Sequence, residues 1–271
     1  MPIPAALPKL IGMPPTSPFQ LRKLTSAVRP FKLHYFDSLP STNDCAAELR
    51  RSGELFAPAI VLTANQTAGR GRGTNRWFSS SACITVTCVM PVEETLEPHQ
   101  LPLVAGLAVR NAASELTGRE DITMKWPNDV LYHGSKLAGL LCERVSGVDL
   151  VGIGLNVNLQ PGELPDALQY SATSIAKIAG RSFDLTDVLI SVSRHLNVML
   201  LTRQSHTFAT FLEQYRQHDS LLGQTLTITN GDDAPITGTC EGIDADGRLL
   251  VRTSKRLHRI IAGSVTADPG L

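Results

Sequence analysis

The sequence predicts an α/β or α+β body followed by a small all-β module, and three observations carry that prediction. Apolar runs of strand length alternate with stretches of helical period from Leu33 to His218. Two of the runs, Leu137 to Val145 and Asp149 to Asn158, are separated only by a short turn at Gly147, which makes them a hairpin rather than a helical crossover. From Gly223 the pattern changes to short alternating segments, TLTIT, ITGTCEGI, RLLVRT and LHRIIAGSV, divided by NGDD and DADG turns. Asn-Gly and Asp-Gly steps supply the positive φ angles of tight hairpins. An all-β module of about 50 residues lies near the lower limit for folding alone, so it is expected to pack on the body.

The elements follow in order. Residues 1–18 hold Pro2, Pro4, Pro8, Pro14, Pro15 and Pro18 without an apolar h-region or a basic cluster, so they read as a flexible arm rather than a signal peptide. Leu21 to Pro30 is mildly amphipathic, and Leu33 to Phe36 starts a strand. Ser41, Thr42 and Asn43 offer side-chain oxygens that cap the helical stretch Ala46 to Arg51, which Gly53 can end. Ala59 to Ala64 and Cys83 to Met90 are buried strands flanking a loop, Gln66 to Arg76. Pro98 to Leu116 is helical and stops at Gly118, and Ile122 to Trp126 is a strand. Asp184 to Leu201 and His206 to His218 are helical by pattern.

Composition sets limits on function. With 25 Lys+Arg against 25 Asp+Glu the formal net charge is +0, which excludes the basic excess of a sequence-indifferent nucleic-acid binder. No run of about 18 apolar residues exists, so no membrane-spanning helix is expected. Cys45, Cys83, Cys88, Cys142 and Cys240 are dispersed and odd in number, a pattern of reduced thiols expected in a cytoplasm rather than of a disulfide framework.

The P-loop, dinucleotide, esterase-elbow and zincin signatures are all missing. What stands out is Gln66-Thr67-Ala68-Gly69-Arg70-Gly71-Arg72-Gly73-Thr74-Asn75-Arg76-Trp77, with no acid among its glycines and arginines. Glycines let backbone N–H groups approach an anion, and Arg forks grip carboxylate or phosphate; the plain alternative is a solvated basic turn. Lys125-Trp126-Pro127-Asn128-Asp129 follows a strand, and its polar pair either serves a ligand, with Asp129 offering hard oxygens to Mg²⁺, or makes an Asx turn. Lys136 opens an apolar strand as a cation reaching into a pocket or as a snorkelling end residue. Gly139, Gly152 and Gly154 either clear one sheet face for a flat ligand or mark bulges.

In order and spacing, Gly-Arg-Gly-Arg, Lys-Trp-Pro-Asn-Asp, Lys-Leu-Ala-Gly-Leu-Leu and Gly-Ile-Gly-Leu-Asn, with the Ser41-Thr42-Asn43 turn, resemble the biotin protein ligases (biotin–[acetyl-CoA-carboxylase] ligases). The resemblance runs from about Phe36 to Ile178 and continues more loosely into the β module. It implies an α+β fold, a mixed sheet flanked by helices like the class II aminoacyl-tRNA synthetase core, with a small SH3-like barrel at the C-terminus. The implied division is an arm over 1–30, a catalytic biotin- and ATP-binding domain over 31–219 and the SH3-like domain over 220–271. Ser41, Thr42, Asn43 and Gln66 match the pocket for the biotin rings, while Arg70, Gly71 and Arg72 match the loop that closes over biotin and its adenylate. Lys136 matches the lysine at the reacting carboxyl and phosphate oxygens, so Arg72 and Lys136 are the implied catalytic pair. Asn128, Asp129 and Asn156 fall where the family handles nucleotide and Mg²⁺.

Further implications are ATP and biotin as substrates, a biotin carboxyl carrier protein as acceptor, no specific DNA or membrane partner, and a monomer or homodimer. In the loop, Gly73 stands one position earlier than the second glycine of many relatives. About 35 residues, many of them Pro, precede the body, less than the winged helix of the bifunctional relatives needs, so a monofunctional ligase is expected. A lipoate-protein ligase or octanoyltransferase shares the architecture, but a flexible lipoyl tail has no use for paired hydrogen-bonding groups such as Ser41, Thr42 and Gln66. A non-catalytic biotin or nucleotide sensor would have no need to keep Arg70, Arg72 and Lys136 together.

Overall fold

The computed structural model describes residues 17–160, 171–201, 207–231 and 233–267. A seven-stranded mixed sheet forms the body. Its strands are β1 (Lys32–Leu39), β2 (Ala59–Gln66), β3 (Cys83–Pro91), β4 (Ile122–Lys125), β5 (Asp129–Tyr132), β6 (Ser135–Val145) and β7 (Val148–Asn156). They lie in the order β1-β2-β3-β7-β6-β5-β4. Only β1 and β2 are parallel. The remaining neighbours are antiparallel. At the β6–β7 hairpin Val145 faces Val148. The intervening Ser146 and Gly147 have φ of 48° and 76°, both positive as a type I′ turn requires.

The helices divide unequally between the two faces. On one side α1 (Leu21–Ala27), α3 (Leu101–Thr117), α4 (Ile175–Ala179), α5 (Leu185–Leu196) and α6 (Ala209–Gln217) cover a core that includes Leu24, Ile84, Leu107, Leu140, Ile153 and Val188. On the other, α2 (Thr42–Arg51) buries Phe36, Leu39, Val61, Val89 and Leu150. Among the described residues, no second helix covers the rest of that face. Helix α2 starts four residues earlier than its apolar spacing indicates, because Ser41 itself is the N-cap, its hydroxyl accepting the Asp44 N–H at 3.3 Å. Such a cap contributes about 1 kcal/mol. Asp184 caps α5 in the same way, accepting from the Thr186 N–H at 2.7 Å. Gly118, with φ 70°, ends α3 in the left-handed conformation that only glycine adopts without strain.

Two expectations need correction. Residues 19–30 are not part of an arm: Phe19, Leu21, Leu24 and Val28 are buried in the main core, and the Gln20 N–H donates to the Thr186 hydroxyl beside α5. Their apolar side chains repeat at helical spacing, and burying them outweighs the entropy of a free segment. The prolines before position 17 lie outside the described residues. Second, the C-terminal strands β8 (Thr225–Thr229), β9 (Ile236–Ile243), β10 (Leu249–Arg252), β11 (Leu257–Ile260) and β12 (Ser264–Ala267) form a separate antiparallel sheet in the order β11-β10-β9-β8-β12. No ladder joins β11 to β12 among the described residues, so backbone pairing does not close this sheet into a barrel.

This C-terminal sheet packs on the body as expected. Leu226, Ile228, Leu249 and Val251 belong to the main core. The fully buried Trp126 donates its indole N–H to the Gly247 carbonyl at 3.2 Å, and Gln100 donates to the Asp246 carbonyl at 3.0 Å. The connection between α6 and β8 also caps the sheet edge. The Met124 N–H donates to the His218 carbonyl at 2.7 Å and the Ser220 N–H to the Met124 carbonyl at 2.9 Å, so β4 presents no unpaired edge at that point.

Candidate active site

The open part of the α2 face is a cavity of about 770 Å³. Ser41, Thr42, Asn43, Gln66, Arg70, Gly71, Arg72, Asn128, Asp129, Lys136 and Asn156, every site residue expected from the sequence, line it together. They arrive from the start of α2, the end of β2, the Gly/Arg loop, the β4–β5 turn and strands β5 to β7. The loop is a small ordered hairpin. Gly71 and Asn75 pair at 2.8 Å and the Asn75 N–H reaches the Arg72 carbonyl at 3.3 Å, with Gly73 at φ 64° in the turn between them. A turn whose first central residue has positive φ needs glycine there, which accounts for the position of Gly73.

The polar side chains fall into two groups, those spent on the protein and those still available. Thr42 meets Gln66 Oε1 through both its N–H, at 2.7 Å, and its hydroxyl, at 3.1 Å. Asn43 is buried, donating to the Leu141 carbonyl at 3.0 Å and to Glu143 at 2.7 Å while accepting from Thr87 at 2.6 Å. Asn128 clips the sheet by donating to the Leu140 carbonyl at 2.8 Å, leaving its amide oxygen as the free end. Asn156 donates to the Lys136 carbonyl at 3.3 Å and so supports the backbone under that lysine.

Of the cations that line the cavity, Lys136, Arg70 and Arg72 are held by different routes. Lys136 is paired with Asp129 at 2.6 Å, and its ammonium stands 5.9 Å from the centre of the Trp77 ring. It therefore points into the site and does not snorkel. Arg70 is held by Asp44 and Glu143. Arg72 donates to the Gly263 carbonyl at 2.6 Å. Burial lowers the Arg72 pKa, an effect that the nearby Asp129 charge partly offsets, and an arginine stays charged through such a shift. A partly desolvated cation with no carboxylate in ion-pair contact among the described residues is a strong anchor for an incoming anion.

The sheet glycines do not hold an empty slot. A Cβ on Gly154 would collide with the Trp77 ring, one on Gly139 would come within 3.3 Å of it, and one on Gly152 would collide with the Asn43 amide. The space opposite these glycines is taken by the chain's own Trp77 and Asn43, which become walls of the cavity.

Sequence reasoning also missed contributors. Thr229, Asn230, Gly231, Gly263, Ser264 and Val265 of the C-terminal sheet line the cavity, and nothing in their spacing marks them. Thr87 was findable, because in Cys83–Pro91 period two puts Thr85 and Thr87 on the face opposite Val86 and Cys88.

A profile of the Biotin/lipoate A/B protein ligase family matches residues 35–159, and one of the Biotin protein ligase C terminal domain matches residues 221–266. The biotin–[acetyl-CoA-carboxylase] ligase of Paracoccus denitrificans is 31% identical over 220 residues, which span 78% of this chain and 90% of that protein. The chain belongs to the biotin protein ligase family. A second relative in the biotin protein ligase family, the bifunctional ligase/repressor BirA of Bacillus subtilis, is 30% identical over 86% of this chain and 73% of its own length. The biotin protein ligase of Aquifex aeolicus, solved in complex with biotin and ATP, superposes with a TM-score of 0.77 at 27% identity, covering 87% of this chain and 98% of that one. The C-terminal match separates the biotin protein ligases from the lipoate readings, since it is specific to them by description.

Proposed function

We propose that this biotin protein ligase family member joins biotin to ATP, forming biotinyl-5′-AMP and pyrophosphate, and then transfers biotin to a lysine of a biotin carboxyl carrier protein. The observation that supports it most is the convergence of Arg72, Arg70, Lys136 and the Ser41, Thr42 and Gln66 group on one cavity. In the first step a biotin carboxylate oxygen attacks the α-phosphorus of ATP, the bond to the β,γ-diphosphate breaks, and pyrophosphate leaves. Two anions must be brought together, so Arg72 and Lys136 act by offsetting their repulsion and fixing their alignment. In the second step the acceptor lysine amine attacks the anhydride carbonyl, sheds a proton, and AMP departs. No protein nucleophile is required, in keeping with the absence of a Ser/His or Cys/His pair among the described residues that line the cavity. The Gly/Arg loop over the cavity limits hydrolysis of the adenylate by water.

Within this reading Gln66 and Ser41 serve the ureido ring, with Thr42 and Asn43 setting the pocket shape, and Asn128, Asp129 and Asn156 serve the nucleotide end. Asp129 is the one carboxylate among the described residues that line the cavity. That fits Mg²⁺ held largely by phosphate oxygens, since this ion commonly takes one or two protein carboxylates and completes its shell with substrate and water. Mg²⁺ would neutralise phosphate charge, and Asp129 would divide its charge between the ion and Lys136. The division at about residue 220, a barrel-like role for the C-terminal sheet, and the absence of a specific DNA partner are part of the same proposal. The test is transfer of labelled biotin to a carrier domain. Labelling that needs ATP and is not supported by lipoate is expected; lipoate labelling, or none with biotin, would contradict it.

A further inference from the structure

We infer that Glu143 is a positioning residue that ties the floor of the biotin pocket to the loop carrying Arg70. The inference rests on the ligase reading for its pocket half, while its loop half stands on geometry alone. Glu143 does not line the cavity, so it acts through its neighbours. One carboxylate oxygen accepts from the Asn43 amide at 2.7 Å and the other from the Arg70 guanidinium.

On the pocket side the connection continues without a gap. Asn43 accepts from the Thr87 hydroxyl at 2.6 Å, Thr87 stands 2.9 Å from the Thr42 hydroxyl, and Thr42 meets Gln66 at 3.1 Å. The orientation of the Asn43 amide is fixed by chemistry. Its nitrogen also faces the Leu141 carbonyl at 3.0 Å, and a carbonyl can only accept. On the loop side Arg70 is shared between Glu143 and Asp44, and Asp44 is the more exposed partner, with 52% side-chain exposure against 33%. Exposed pairs hold little, so Glu143 is the principal tether.

Two donors approach this side chain on different oxygens, and only a carboxylate offers two acceptors. A glutamine would turn its NH₂ toward one of them. The geometry therefore requires the acid itself, and Glu143→Gln should behave like Glu143→Ala rather than like the parent. A residue that merely fills space would show the reverse.

The experiment combines hydrogen exchange of the loop amides over residues 67–77 in the ligand-free full chain with steady-state kinetics for biotin and ATP. Both Glu143→Gln and Glu143→Ala should speed loop exchange and raise KM for biotin about fivefold or more, the scale of one partly exposed charged hydrogen bond. KM for ATP should stay within about twofold, because neither partner of Glu143 belongs to the nucleotide end. In an Arg70→Ala background, Glu143→Ala should add nothing to loop exchange. Unchanged loop exchange, parental behaviour of Glu143→Gln, or full additivity with Arg70→Ala would overturn the inference. The near-isosteric glutamine variant keeps the test decisive if the alanine variant fails to fold. If the parent lacks biotin-dependent pyrophosphate exchange, the ligase reading and the pocket half fall with it, and loop exchange still decides the Arg70 half.

Discussion

Arg72 stands where the Gly/Arg loop meets the C-terminal sheet, and its contact with the Gly263 carbonyl joins parts of the chain 191 positions apart. Removing the side chain deletes both the anion anchor and this tie. Arg72→Ala is therefore expected to release biotinyl-5′-AMP to water and to lower acceptor labelling. Leakage of free adenylate and labelling are measured together, and parental values for both would refute the role. Lys136 lies between Asp129 at 2.6 Å and the Trp77 ring. Lys136→Ala should reduce the adenylation rate by roughly 10² or more while the melting temperature stays near the parent's. Equal adenylation rates would show that the lysine is only a partner for Asp129. These cations were legible because a loop rich in Gly and Arg, or a lysine opening an apolar strand, is chemically conspicuous. Glu143 was not, since its importance depends on Asn43 and Arg70, which reach it from distant parts of the chain.

Among the elements, the segment between α6 and β8 carries the clearest pH dependence. The Oδ1 atom of Asp219 accepts the Leu221 N–H at 2.9 Å, while Oδ2 is buried without a hydrogen-bond partner. Burial pushes the carboxyl up from 3.8 to about 6. Between those values the native state holds a proton that the unfolded chain has lost, so Asp219 reduces stability as pH rises through that window. Asp219→Asn keeps the acceptor and removes the charge. It should be more stable than the parent at pH 7.5 by about 1 to 3 kcal/mol, the difference vanishing below about pH 4. Denaturant titrations across pH check this, and a difference that does not vary with pH would contradict it. The strands and long helices were readable from period and punctuation, as with Gly118 after α3 and the Gly147 turn. The four-residue β5 and five-residue α4 were not among the elements read from the sequence. The start of α2 was misjudged because the polar Thr42, Asn43 and Asp44 read as a cap although Thr42 already begins the helix.

At the scale of the whole molecule, a sheet with most of its helices on one face leaves the other free for a site, and the C-terminal sheet completes its rim. That completion could not be read from sequence, because it arises from packing between Gly263 and Arg72 and between Gly247 and Trp126. The central claim, that this cavity activates a carboxylate with ATP, is tested most directly by ATP–pyrophosphate exchange without any acceptor protein. Exchange of labelled pyrophosphate into ATP that depends on biotin and Mg²⁺, and falls by about 10² in Lys136→Ala, is the predicted result. Exchange that proceeds equally without biotin, or no exchange from a folded protein with all three present, would contradict the account.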